Sequence, residues 1–281
     1  MKSKKGVIEI QFNWIFALIA GALIILLFTG IILKQKDISE TSKNALILNN
    51  LDAILSGSEV SPGTANTVRI PEAKIEFGCN SYSVGKVTKQ LNSMNVFTPS
   101  VLEGNRLITW TLDWNLPYRI TNFVYLTNPR VRYVFVADTS NQDFAEDILG
   151  LMPKQIIDDT VYDFGDVVNI ENEGHDYVRI IFFGQRPTLP NSFEGMKKGT
   201  VTALKIDGNK DKGTLEFFEN DGNVFTPTES SYYIKEPTLF GAIFTDDVKT
   251  YNCVMRNAFE KLNIVSQIYL EKVTGLRGSC V

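Results

Sequence analysis

WIFALIAGALIILLFTGIIL, Trp14 to Leu33, runs for twenty residues without a charge, and Thr29 carries its only hydroxyl. As a helix rising ~1.5 Å per residue, it has the length of a bilayer's hydrocarbon core, ~30 Å. A helix that is apolar on every face cannot sit on the surface of a soluble domain. This stretch therefore predicts a membrane-spanning helix, with the lipid bilayer as its partner. Ala17 and Gly21 have the spacing of a helix-packing face, and the same spacing arises when small residues are scattered through an apolar helix.

The flanks suggest an orientation. Lys2, Lys4 and Lys5 precede the segment; Lys34 and Lys36 follow it, with Asp37 close behind. Counting Lys and Arg near the ends favours a cytoplasmic N-terminus and an extracellular C-terminal domain. The apolar run exceeds a secretory h-region, and no small-x-small site follows it before Lys34, so a retained single span is expected.

Met1 to Gly6, MKSKKG, is a short basic leader ending in Lys5-Gly6, and the apolar run begins almost at once. This start resembles the class III signal of archaeal type IV pilins and related surface proteins. In that family a membrane peptidase cuts after the Gly, and the hydrophobic helix stays as anchor or filament core. The resemblance implies a cut between Gly6 and Val7, with filament or surface proteins as partners. Val7 stands where archaeal examples commonly have Gln, and Gln11 where bacterial pilins have Glu.

Beyond the anchor the chain is long enough for one large domain. Five of the 28 basic residues and one of the 32 acidic residues precede Asp37, so the remainder carries a net charge of about −8. That balance argues against a nucleic-acid partner, which requires a basic patch. The expected organisation is a leader and interfacial stretch (1–13), the transmembrane helix (14–33), a juxtamembrane helix and linker (34–63), and an extracytoplasmic domain (64–281).

Asp37-Ile-Ser-Glu40 has capping-box spacing, and Ala45, Leu48, Leu51 and Leu55 then recur at helical intervals. This predicts a helix that either continues the anchor as a stalk or packs back on the domain. Ser56-Gly57-Ser58 and Ser61-Pro62-Gly63-Thr64 end it as a loop. Val68–Ile70, Lys74–Cys79, and LITWTLDW (Leu107–Trp114) read as strands, the last with Ile108, Trp110, Leu112 and Trp114 on one side. VRYVFVA (from Val131), YVRIIFF (Tyr177–Phe183) and FGAIF (Phe240–Phe244) are buried-type strands. Phe144–Leu151 is a short helix, and 201–206 with 214–218 form a hairpin. A long helix from Val248 to Lys272 carries the stripe Tyr251, Met255, Ala258, Leu262, Val265 and Tyr269. Most simply the stripe is core, though it could bind a partner helix. The expected fold class is α/β: a transmembrane and a juxtamembrane helix, then a mixed sheet domain with a long C-terminal helix.

Cys79, Cys253 and Cys280 are the cysteines, and His175 is the lone histidine, so a Cys/His zinc site is not expected. Outside the cell a disulfide is the natural state. Cys280 lies only eight residues past the helix and would have to run back almost ~30 Å to reach Cys253, so Cys79–Cys253 is the expected pair. Cys280 is then free or paired to another chain.

There is no Walker A loop, GxGxxG, GxSxG, HExxH or CxxC, so a non-enzymatic role is expected. His175 sits in a polar turn, and Asp158, Asp159, Asp163 and Asp166 form an acidic stretch that could gather a cation. Asp138-Thr-Ser140 follows one apolar strand and Thr245-Asp246-Asp247 another, and ligand residues of open α/β sheets collect at such carboxyl ends. The two segments resemble the DxSxS and TDG segments of von Willebrand A domains, which hold a divalent cation. The resemblance implies Asp138, Ser140 and Asp246 as metal ligands in a metal-dependent binding module or hydrolase. Asp246 equally suits a helix cap. FGAIFTDD with Tyr251–Cys253, Met255 and Ala258–Phe259 resembles single-pass membrane proteins of archaea, a likeness that brings no activity with it. The expected role is in surface structure, adhesion or envelope assembly, possible as a homo-oligomer.

Overall fold

The computed structural model describes residues 5–157 and 160–278. Its first element, α1 (Lys5–Glu59), is a single helix of 55 residues. Asp37 and Glu40 are internal to it, so the expected cap is absent and the juxtamembrane helix continues the apolar one. The chain divides into two compact units, Met1–Leu46 and Ile47–Val281. In the first, the apolar run is bare: Trp14, Leu18, Ile25 and Leu26 are each more than 60 % exposed. It is the one helix among the described residues that is long and apolar enough to cross a membrane.

The second unit begins inside α1. Leu48, Leu51 and Leu55, at the helical spacing read from the sequence, are almost wholly buried, as is Ile47, while Ala45 is half-buried. The expected loop at Ser56-Gly57-Ser58 is instead the last turn of the helix. Ser58 Oγ donates to Thr109 Oγ1, and Thr111 Oγ1 donates to the Ser58 carbonyl. Those bonds tie the helix end to a strand, so the local turn signal yields to tertiary contacts.

Two six-stranded sheets make up the body of this unit. The first contains β1 (Ala65–Phe77), β2 (Ser81–Val84), β3 (Val87–Gln90), β4 (Asn95–Phe97), β5 (Val101–Asn115) and β6 (Arg119–Thr127), in the order β3-β2-β1-β5-β6-β4. All pairings are antiparallel except β4 with β6. The two short strands expected before Cys79 are one strand, β1, with a bulge between Arg69 and Ala73. On β5, Ile108, Trp110 and Trp114 are buried as expected, but Leu107, Thr109 and Thr111 on the other face are buried as well.

The second sheet contains β7 (Val131–Ala137), β8 (Val161–Asp163), β9 (Tyr177–Phe183), β10 (Val201–Gly208), β11 (Lys212–Asn220) and β12 (Phe225–Ile234). Strands β8, β7, β9 and β10 are parallel, and β11 and β12 add antiparallel hairpins at one side. Its central strands are covered on both faces, which is why they read as unbroken apolar runs. Tyr133, Phe135 and Ala137 of β7 enter the main core, while Val134 and Val136 meet Val167 and Phe193 on the far side. Helix α2 (Gln142–Leu151) adds Ala145, Ile148 and Leu149 to the main core.

FGAIF is not a strand. It is the end of helix α3 (Glu236–Phe244), which starts with Pro237 in its first turn. All five residues are buried, and a run buried on every side carries no period to tell helix from strand. At Gly241 a Cβ would lie 2.6 Å from the Phe97 ring, so glycine lets α3 pack directly on β4. Phe240 and Phe244 join Trp110, Tyr125 and Tyr133 in a continuous aromatic cluster. Helix α4 (Val248–Gly278) follows. Its stripe is core at Tyr251, Met255 and Ala258, and half-buried at Leu262 and Val265. It ends at Tyr269, stacked on Tyr118 with ring centres 3.7 Å apart. The fold is α/β, with a long N-terminal helix, mixed sheets and a long C-terminal helix.

Candidate functional site

Cys79 and Cys253 form a disulfide with Cα atoms 5.8 Å apart. It joins the end of β1 to the second turn of α4, and Asn257 Nδ2 donates to Asn80 Oδ1 one helical turn further on. Cys253 is half-buried, off the core stripe, as its angular position on the helix requires. Cys280 lies outside the described residues.

The sequence passed over the residue around which the main polar site is built. Arg179 interrupts the apolar strand β9 and is 3 % exposed. Its guanidinium donates to the carbonyls of Ala203 on β10 and of Ala242 and Thr245 at the end of α3, at 2.8–3.2 Å. It also lies over the Phe217 ring, 5.2 Å from the centroid. Burial lowers its pKa to about 10, so it remains charged at neutral pH. Among the described residues Arg179 Nε has no hydrogen-bond partner, nor has the nearby Thr245 hydroxyl.

The countercharge is Asp246, in the link between α3 and α4. Ser100 donates to Asp246 Oδ1 through its backbone N–H (2.8 Å) and its hydroxyl (2.6 Å). Burial raises the carboxyl's pKa above the ordinary Asp value, while the Ser100 hydrogen bonds and Arg179 pull it down. The capping role open to Asp246 falls to Asp247, which accepts from the Lys249 and Thr250 backbone and the Thr250 hydroxyl.

Asp246 faces a cavity of about 320 Å³ at the amino-terminal ends of β9 and β10. Tyr177, Thr200 and Thr202 form its wall; Lys74, Lys197 and Lys198 stand at its rim. The Lys197–Thr200 turn is closed by Thr200, whose N–H and hydroxyl both donate to the Lys197 carbonyl. Gly199 in that turn has φ +85°, a conformation that favours glycine. A smaller chamber of about 20 Å³ continues inward between Asp246, Thr202 and Arg179.

The residues expected to share a metal are not brought together. Asp138 follows β7 at its carboxyl end, where Oδ1 accepts from the N–H and hydroxyl of Ser140 and from the N–H and Nδ2 of Asn141. Gln185, just beyond β9, donates to Oδ2. Asp246 lies at the opposite ends of these parallel strands, so the seven residues of β9 hold the two carboxylates ~20 Å apart. The expectation failed because it treated FGAIF as a parallel strand whose end would meet that of β7. Asp138 and Ser140 instead form a turn that joins β7 to α2. Among the described residues no group of three or more His, Cys, Asp or Glu is placed to hold a metal. Asp158 and Asp159 lie outside the described residues, and Asp163 accepts from the Gly165 N–H. His175 sits in the turn before β9, its N–H donating to the Asn172 carbonyl.

Comparison with protein-family models, curated proteins and solved structures yields no match to this chain.

Proposed function

We propose that this is a single-pass membrane protein whose Ile47–Val281 unit works outside the cytoplasm, in surface structure, adhesion or envelope assembly. The observation that carries the proposal is the Cys79–Cys253 disulfide, in a chain with an exposed apolar helix of bilayer length. Disulfides persist in oxidising compartments, and the Lys-rich leader favours a cytoplasmic N-terminus. Protease added to intact cells tests the sidedness: it should remove the globular unit, and complete protection until lysis would refute the proposal.

A second reading, a pilin-like subunit cut between Gly6 and Val7, is favoured by one observation. Helix α1 is uninterrupted from Lys5 to Glu59, and its last turns are built into the globular unit's core. A subunit held in a filament by its N-terminal helix has that helix run on into its domain. N-terminal sequencing of the mature protein decides it: a start at Val7 is expected, and an intact Met1 leader refutes it.

A further inference from the structure

An anchoring role leaves the cavity at the amino-terminal ends of β9 and β10 unexplained. Its floor is electrically balanced, because buried Arg179 and Asp246 offset each other. The floor is nevertheless unsatisfied in hydrogen bonds. Arg179 Nε is a buried donor with no partner among the described residues, and burying such a group costs free energy that a ligand's acceptor would recover. Ser100 engages only Oδ1 of Asp246, leaving Oδ2 to accept. Thr202, only 6 % exposed, lines both chambers and carries a hydroxyl. The inner chamber, about 20 Å³, has room for one water-sized group.

The rim differs in charge. Lys74 is paired with Glu76 and Lys198 with Glu219. Lys197 has no acidic partner among the described residues. Asp247, the remaining acid of the wall, is committed to the first turn of α4.

These demands exclude several chemistries. An ammonium at the floor would set a second cation near Arg179, and a carboxylate or phosphate there would meet Asp246. Hydroxyl groups suit it, since each can donate to Asp246 Oδ2 while accepting from Arg179 Nε or Thr202. At the rim, an anionic group suits Lys197. Tyr177 supplies an aromatic wall against which the C–H face of a ring can rest. A volume of about 320 Å³ is at the small end of ligand pockets and fits a compact molecule.

We propose that this cavity binds a uronic-acid residue of an acidic polysaccharide, with ring hydroxyls at Asp246, Thr202 and Arg179 and the carboxylate at Lys197. The site does not depend on which side of a membrane the unit occupies, so its test is separate from the protease experiment. Calorimetry on the full chain in detergent micelles would use digalacturonate, neutral digalactose and sodium sulfate as probes. Digalacturonate should bind, digalactose should bind at least about tenfold more weakly, and sulfate should not compete at matched ionic strength. Lys197→Ala, at an exposed position, and the isosteric Thr202→Val should each weaken digalacturonate by about tenfold at unchanged melting temperature. Lys154→Ala, outside the cavity, should leave it unchanged. Absence of digalacturonate binding would overturn the proposal, as would equal competition by sulfate or full binding by both cavity variants. If Thr202→Val lowers the melting temperature, Lys197→Ala alone decides.

Discussion

Replacing Cys79 and Cys253 together by Ser removes a cross-link that closes a loop of 174 residues. In the chain-entropy account, opening a loop of that length costs the native state about 5 kcal/mol at 25 °C, because the unfolded chain regains its freedom. The fold should survive nonetheless, since Tyr251, Val254 and Ala258 of α4 are each no more than 1 % exposed and keep the helix in the core. Urea unfolding of the 47–281 unit, oxidised and reduced, measures the difference. For a denaturant slope of about 3 kcal/mol/M, the midpoint should fall by roughly 1.7 M. The same shift should appear on adding reductant to the wild type and be absent in the double variant. Coincident oxidised and reduced curves would refute the reasoning, as would titratable thiols at Cys79 and Cys253 in the untreated protein.

Three further perturbations separate the contributions of helix, buried charge and turn. Leu55→Ala, at a residue with no exposure, should cost about 3 kcal/mol in urea unfolding, whereas exposed Val60→Ala should stay within about 0.5 kcal/mol; equal effects would mean that α1's last turns are not core. Arg179→Met should cost about 3–5 kcal/mol, because it leaves Asp246 without its countercharge and removes donors from three buried carbonyls; a neutral result would show that the charge pair is dispensable. Hydrogen bonds from Ser140, Gln185 and Asn141 hold the Asp138 carboxyl well below the usual carboxylate range. A depressed folded pKa contributes stability that is present above about pH 4 and lost as pH falls through the folded value. Asp138→Asn should therefore flatten the melting temperature's decline below about pH 4, and parallel profiles for variant and wild type would contradict this.

Much of the fold was legible because it follows from local periodicity. The charge-free run from Trp14, the spacing of Leu48, Leu51 and Leu55, and the stripe from Tyr251 to Ala258 each identified a helix or its buried face. The strands at Val131 and Tyr177 and the hairpin at Val201 were equally plain. Reach helped to choose the disulfide, since the eight residues between the expected helix end and Cys280 barely allow a return to Cys253. The candidate site was much less legible. Its one local sign was a charge inside an apolar strand, Arg179, and a buried charge implies a partner without naming it.

Tertiary structure settled what sequence spacing could not. Phe240–Phe244 is apolar at every position, so only its packing through Gly241 on Phe97 made it a helix. That choice carried Asp246 away from Asp138 and placed it beneath Ser100, facing Arg179 from a strand 67 residues earlier. Helix continuity through Ser58 was decided in the same way, by contacts with a strand distant in the chain. Sequence alone determined the long apolar helix and the buried faces and narrowed the cross-link, because hydrophobic period and chain reach act locally or by simple geometry. The cavity and its charge pair came only from the folded structure, because they depend on which strand ends and helix ends meet.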